Sequence, residues 1–324
     1  MKRTINLLRG LLAGITLLAA GAVQAQPYPN KPIRLIVPFP AGGTADFAAR
    51  TIAGALQQGL GQQVIVDNRA GADGVVASQA VLQAAPDGYT LYFATTTGLN
   101  AAPVLHKPSP YDPLTAFTPI AKAGFFGFFL MSHDSVPART AQELMAHARA
   151  NPGKLSYGTG NGTSILTTAQ LAAAEKVDMA HIPYKGDAPA GLDFIAGRIQ
   201  LMIATPTPAI QAQIKEGKLR VLATLLPNRS PLYPQTPTAT EAGLKGMTIT
   251  PWAGLFGPAG LPREVVERVS REMRSVAQRK DIRDTLDGIA YELDGSGPAE
   301  MTTLLADQLQ VWRRGVQELG LNRN

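Results

Sequence analysis

Short apolar runs alternate with Ala-rich segments along most of the chain. IRLIV (Ile33–Val37) predicts a strand, Ala45–Gly59 a helix and VIVDN (Val64–Asn68) a second strand. A helix over Gly74–Ala85 and the strand YTLYFAT (Tyr89–Thr95) follow, separated by the turn Pro86-Asp87-Gly88. This βαβαβ rhythm predicts a parallel sheet with helices on its faces. Phe117–His133 then carries two apolar runs separated by Gly124, enough to pass from one lobe into another. In Ser135–Asn151 the pattern predicts a helix with Thr140 as N-cap and Glu143 three residues on. Strands are expected at Leu155–Gly160, Met179–Tyr184, Ile199–Thr205 and Leu219–Leu225, with helices at Gly162–Lys176, Pro189–Ala196 and Ala209–Glu216 between them. The Pro-rich stretch that follows is expected to wrap back across the first lobe. Ile249–Gly260 reads as strand, and two amphipathic helices, Pro262–Arg279 and Pro298–Leu319, flank a strand at Tyr291–Gly295.

Lobe one thus appears on both sides of an inserted lobe two. The divisions expected are 26–124 for the first part of lobe one, 125–226 for lobe two and 227–324 for the rest of lobe one. Two α/β lobes joined by crossing segments make a cleft, a favoured place for a ligand.

The N-terminus changes the picture. Lys2, Arg3 and Arg9, the uncharged stretch Gly10–Val23 and the ending Val23-Gln24-Ala25 predict a signal peptide over residues 1–25, cleaved after Ala25. There is no cysteine, which excludes disulfides, thiol chemistry and a lipid anchor at the cleavage point. The net charge of +6 is scattered rather than gathered into runs, so no nucleic-acid partner is expected.

Catalytic patterns fail one after another. No GxSxG elbow occurs, and GNGTS (Gly160–Ser164) places its glycines wrongly. The four histidines stand at no ligand spacing, so no metal site is expected, and neither a Walker loop nor a GxGxxG fingerprint is present. No cofactor is expected. What remains is anion binding by backbone. PAGGTAD (Pro40–Asp46) sets Gly42 and Gly43 before a helix start at Thr44 or Asp46, where N–H groups favour negative charge. GTGNGTS (Gly158–Ser164) repeats the arrangement, while PYKGDAPA (Pro183–Ala190) and ATTTGLN (Ala94–Asn100) again put small and hydroxyl residues after a strand. Any one of these turns reads as ordinary capping. Four of them at the carboxyl ends of parallel strands, where open α/β sheets bind ligands, make a candidate site that includes Thr95 and Thr97.

YPNKPIRLIVPFPAGGTAD, GQQVIVDNRAGADG, APDGYTLYFAT, NPGKLSYGTGNGTS, HIPYKGDAPA and WAGLFGPAGLP resemble, in order and spacing, successive blocks of the Bug family, periplasmic solute-binding proteins of tripartite tricarboxylate transporters. The resemblance implies an α/β two-lobe periplasmic binding protein of type II-like architecture, each lobe a sheet flanked by helices with the ligand in the cleft. It implies no catalysis, a periplasmic location, a monomer, and membrane transporter subunits or a sensor protein as partners. It implies that a ligand carboxylate is held by the loop Phe39–Asp46 (Phe39, Ala41, Gly42, Gly43, Thr44, Ala45, Asp46) through backbone groups and ordered water. Second-lobe contacts fall on Gly160, Asn161, Thr163 and Ser164, and after Tyr184 on Gly186 and Asp187. Where members often carry an Asp at a strand end, this chain has Ala204 beside Thr205, so a carboxylate without a free ammonium and with an apolar or aromatic remainder is expected. Phe39, Leu166, Phe125, Phe126 and Trp252 are candidates to line such a pocket, with core the preferred reading for Phe125, Phe126 and Trp252. The competing readings are a secreted α/β enzyme acting on a small carboxylate and a ligand sensor for a signalling protein.

Overall fold

The computed structural model describes residues 28–226, 228–245, 249 and 251–321. The signal peptide expected over residues 1–25 lies outside the described residues. β1 (Ile33–Val37) is buried at every position but Arg34, as a central strand covered on both faces must be. After the turn, α1 (Thr44–Leu60) lays Ala45, Ala48, Ala49, Ile52 and Leu56 against the core and ends at Gly61, whose φ of 71° a residue without Cβ adopts at little cost. β2 (Val64–Asn68), α2 (Val75–Leu82) and β3 (Thr90–Thr95) complete the expected unit, with β1 parallel to both β2 and β3. β3 then runs into a wide helical turn (Thr97–Ala101) and the short α3 (Ala102–Leu105), where the sequence reading had only a turn.

β4 (Phe117–Phe126) and β5 (Phe129–His133) carry the chain from the first sheet to the second. The break expected at Gly124 is not there. That glycine stays inside β4 with a φ of 155°, and a Cβ on it would sit 2.3 Å from the Glu292 carbonyl oxygen of the neighbouring strand. The chain turns instead at Gly127, whose N–H donates to the Ala290 carbonyl. The second lobe follows as α4 (Ala141–Ala150), β6 (Ser156–Thr159), α5 (Gly162–Glu175), β7 (Ala180–Pro183), α6 (Asp187–Ile195), β8 (Leu201–Ala204), α7 (Pro208–Lys215) and β9 (Leu219–Thr224). The Thr140 hydroxyl accepts from the Glu143 N–H, so Thr140 is the cap of α4, as the sequence led one to expect. The return to the first sheet gives β10 (Trp252–Pro258), α8 (Arg263–Gln278), α9 (Lys280–Asp287), β11 (Tyr291–Leu293) and α10 (Pro298–Leu319).

The two sheets run β11-β4-β10-β3-β1-β2 and β7-β6-β8-β5-β9. Neither is wholly parallel. β10 re-enters antiparallel between β3 and β4, and β5 lies antiparallel between β8 and β9, because each is fed by a crossing segment rather than by a helix. The Pro-rich stretch does not cross the first lobe. It covers β9, an edge strand with unpaired backbone groups: the Thr224 N–H donates to Pro237, the Ala239 N–H donates to Thr224, and Tyr233 stands edge-on to Phe129.

α10 ties the lobes together. Trp312 is fully buried in a cluster with Ala101 and Leu105 of the first lobe and Leu166 of α5. Gly315 brings the two helices close, since a Cβ there would lie 2.7 Å from the Gln170 side chain. Trp312→Ala is therefore expected to cost about 3–5 kcal/mol. A lowered urea midpoint for unfolding is the measurement.

Candidate functional site

A cavity of about 510 Å³ opens between the two sheets, and helix N-termini from both lobes surround it. Gly43 and Thr44 of α1, Asn161 and Thr163 at α5, Gly186 and Asp187 at α6, and Thr207 and Pro208 at α7 all lie on its wall. The ends of parallel strands converge here because β1, β3, β6, β7 and β8 each deliver their carboxyl end to the same side.

Two of these helices cap themselves and two do not. Asn161 Oδ1 accepts from the Ser164 N–H, and the Thr207 hydroxyl accepts from the Ile210 N–H. The caps of α1 and α6 are Gly43 and Gly186, which carry no side chain to accept anything. The first turn of α1 thus presents backbone donors to the cavity with no protein cap.

Asp46, a candidate ligand contact, is only 4 % exposed and does not line the cavity. It builds the loop instead. Its Oδ2 accepts from the Gly42 N–H at 2.9 Å and from Arg50 Nε at 3.0 Å, and its Oδ1 accepts from Asn68 Nδ2 at 2.8 Å. Asn68 Nδ2 also donates to the Phe39 carbonyl. Gly42 takes a φ of 84° to complete the turn. Burial works to raise the Asp46 carboxyl, but the hydrogen bonds from Arg50, Gly42 and Asn68 outweigh it and hold it below its ordinary value.

On the opposite wall Asn161 Nδ2 donates to both Asp187 oxygens, at 3.1 and 3.0 Å. Gly160 makes the approach possible, since a Cβ there would be 2.3 Å from the Asp187 N–H nitrogen. Burial pushes the Asp187 carboxyl up to about 6, against the lowering effect of the Asn161 hydrogen bond. Thr97 Oγ1 and Thr163 Oγ1, 2.9 Å apart and buried, join the two walls. Two further hydroxyls, Thr95 Oγ1 in the first lobe and Thr205 Oγ1 in the second, are buried on cavity-lining residues without any hydrogen-bond partner.

Of the residues singled out in the sequence, Phe39, Ala41, Gly42, Gly43, Thr44, Ala45, Thr95, Thr97, Gly160, Asn161, Thr163, Gly186, Asp187 and Thr205 line the cavity. Three do not. Ser164 is held by Asn161 Oδ1, Asp46 serves the loop, and Ala204 is buried in β8 opposite Phe129. Leu166 belongs to the Trp312 cluster and Phe125 packs against the cluster that holds Trp252 without lining the cavity, whereas Phe126 and Trp252 do form cavity wall. Trp252 is fixed there by its backbone N–H donating to Thr96 Oγ1 and its indole N–H donating to Asn100 Oδ1. Missed were Phe128, Leu192, Ile195 and Thr207, while Lys185 lies within the Pro183–Ala190 turn already singled out but was not itself named as a contact. For Thr207 the signal was present: a Thr followed by Pro at the first helical position marks a helix start. Among the described residues no group of His, Cys, Asp and Glu is placed to hold a metal ion, and no helix is long and apolar enough to cross a membrane.

The family model described as "Tripartite tricarboxylate transporter family receptor" matches residues 48–321. A UPF0065 protein from the tcbD–tcbE intergenic region of Pseudomonas sp. (strain P51) is 36% identical over 323 residues, covering 98% of this chain and 96% of its own. The periplasmic binding protein BugD superposes with a TM-score of 0.81 at 29% identity, over 92% of this chain and 100% of its own. The R. palustris protein Rpa4515 with adipate superposes with a TM-score of 0.83 at 30% identity, over 90% of this chain and 98% of its own.

The raised Asp187 carboxyl has a consequence for stability. The folded protein holds this proton more tightly than the unfolded chain, whose carboxyl titrates at the ordinary 3.8. Stability therefore falls as pH rises from about 4 to about 6 and is level with respect to this group above that. Asp187→Asn is expected to remove the fall, leaving the variant about 1–3 kcal/mol more stable than the parent near neutral pH and no more stable near pH 4. Thermal unfolding of both refolded, ligand-free proteins at the two pH values measures it.

Proposed function

This chain belongs to the tripartite tricarboxylate transporter receptor family, and from that premise we propose that it captures a small organic carboxylate between its lobes and hands it to the membrane subunits of a transporter. It is a solute-binding protein rather than an enzyme. The observation that carries the ligand class is the open N-terminus of α1: Gly43 offers no side-chain cap, and Asp46 is turned into the loop and neutralised by Arg50. A carboxylate seated there meets backbone donors and the positive end of a 17-residue helix without a fixed counter-charge. Bound water between carboxylate and loop would let one seat take acids of different shape.

The remainder of the ligand lies against apolar wall. Phe39, Phe126, Phe128 and Trp252 stand on one side, Leu192 and Ile195 on the other. Thr95 and Thr205 hold hydroxyls in reserve for the ligand's polar atoms. The adipate named with Rpa4515 supports a carboxylate on an aliphatic chain, and leaves the group at the far end of this chain's ligand to be read from its own residues. The expectation of no ligand ammonium rested on Ala204, which does not reach the cavity, so it is Asp187 that bears on the far end of the ligand. The periplasm is the expected place of work, since the family is one of periplasmic binding proteins and the first 25 residues read as an export signal.

Native mass spectrometry of the protein as purified, and again after unfolding and refolding, is expected to show a small-mass adduct that is lost on refolding. A thermal-shift screen of mono-, di- and aromatic carboxylates on the refolded protein is then expected to give clear stabilisation by some of them. A flat screen would sink the carboxylate reading. Thr95→Val and Thr205→Val are each expected to weaken the identified ligand by about 1–2 kcal/mol, or roughly 5- to 30-fold, by calorimetry. The ligand-free variants should melt no lower than the parent, because each substitution removes an unsatisfied buried hydroxyl.

A further inference from the structure

We propose that the Asn161–Asp187 pair reads a hydrogen-bond donor at the far end of the ligand, so that the preferred cargo is a monocarboxylic acid ending in a hydroxyl, amide or ammonium rather than a dicarboxylic acid. The proposal rests on the carboxylate seat at α1 argued above.

Asp187 stands at the first position of α6, on the wall contributed by the second lobe. Its orientation is set twice over. Asn161 Oδ1 is committed to the Ser164 N–H at 3.0 Å and receives the Ser164 hydroxyl as well, so the amide cannot turn and its Nδ2 must face Asp187. Nδ2 then occupies one acceptor position on each Asp187 oxygen. A carboxylate has about four such positions, so acceptor capacity is left over for a ligand. Among the described residues no ion pair forms to Asp187. Lys185 lines the same cavity two residues earlier, but its side chain is exposed and makes no ion pair there.

The cavity is therefore polarised. One end offers N–H donors at an uncapped 17-residue helix, and the other offers a fixed carboxylate that accepts. A ligand with a carboxylate at one end and a donor at the other satisfies both. A dicarboxylate satisfies the first end and brings like charge against the second, which costs affinity in a partly desolvated site. The burial that pushes the Asp187 carboxyl up is consistent with a group waiting for a partner.

The test uses refolded full-length mature protein and a ligand series built on one carbon chain: hexanoate, 6-hydroxyhexanoate, adipamate, 6-aminohexanoate and adipate, with the butanoate and octanoate homologues. Calorimetry is expected to rank the donor-ended acids at least about 10-fold tighter than hexanoate, and adipate no tighter than hexanoate. The order among hydroxyl, amide and ammonium tells whether a neutral or a cationic donor is the better partner. Asp187→Asn, which removes the charge, is expected to weaken the ammonium-ended acid and to tighten adipate by about 10-fold or more. Far-UV circular dichroism and a cooperative melt of the variant are the control for folding. If the parent prefers the dicarboxylate at every chain length, Asp187 does not read the far end and Lys185 is the better candidate. If Asp187→Asn does not fold, the ranking on the parent decides alone. Loss of every carboxylate, hexanoate included, would overturn the α1 seat and not merely this reading of its far end.

Discussion

The loop that lines the cavity before α1 depends on a carboxylate that never meets the cavity. The buried Asp46 carboxylate gathers the Gly42 N–H, the Asn68 amide and the half-exposed Arg50 guanidinium into one knot, and the Phe39 carbonyl is tied in through the same amide. An acid in the first turn of a helix usually answers that helix's own free N–H groups. Here its oxygens are used up by the loop, so the donors of the first turn stay open. Arg50 matters for the same reason. A lone buried anion beside the proposed carboxylate seat would repel an anionic ligand, whereas a paired one presents little net charge to the cavity. The loop is thus held in place without consuming the backbone donors of the first turn.

The second lobe inverts this arrangement. At α6 the cap is again a glycine, but the acid at the first helical position stands on the cavity wall and its partner is a neutral amide. Nothing cancels its charge. The two helix starts have similar local chemistry, Gly followed by a small or acidic residue, and end with opposite electrostatic character because of where one carboxylate points. Between them, Thr97 and Thr163 bring hydroxyl to hydroxyl across the cleft, and the Trp312 cluster packs α10 on α5. Both contacts link one lobe to the other, so the separation of the two polar ends is set by the fold and not by a flexible side chain.

Much of this was legible in the residues. β1, the Gly-Gly turn and α1 lie where the alternation of apolar run, glycine pair and alanine-rich segment put them, because short-range rules decide such a unit. Thr140 caps its helix for the same reason. What escaped the sequence was set by distant partners. Gly124 looked like a break, yet its positive φ serves a strand pressed against the backbone of β11. The Pro-rich stretch looked like a bridge to the first lobe, but the bare edge of β9 captured it. Asp46 and Asp187 had the same appearance, an acid at a helix start after glycine. Only the positions of Arg50, Asn68 and Asn161 separate a loop-builder from a cavity group. Phe126 and Trp252 read as core because their burial is real; they are core on one face and wall on the other.

Several features of the protein run against stability: two glycine-capped helices, two hydroxyls without partners and a carboxyl whose burial disfavours its charge. Orphaned hydroxyls alone would prove little. Ser132, Thr167 and Thr168 are equally unpartnered and sit in a strand and a helix away from the cavity. Coincidence in space is what distinguishes the others. Thr95, Thr205, Gly43 and the adjacent Gly186 and Asp187 come from four different stretches of chain and two lobes, yet they border one cavity. Each is a local cost that an occupant with a carboxylate, an apolar body and polar atoms to share would offset. Groups scattered along the sequence and unsatisfied in the same place are the physical signature of a ligand the fold was shaped to complete.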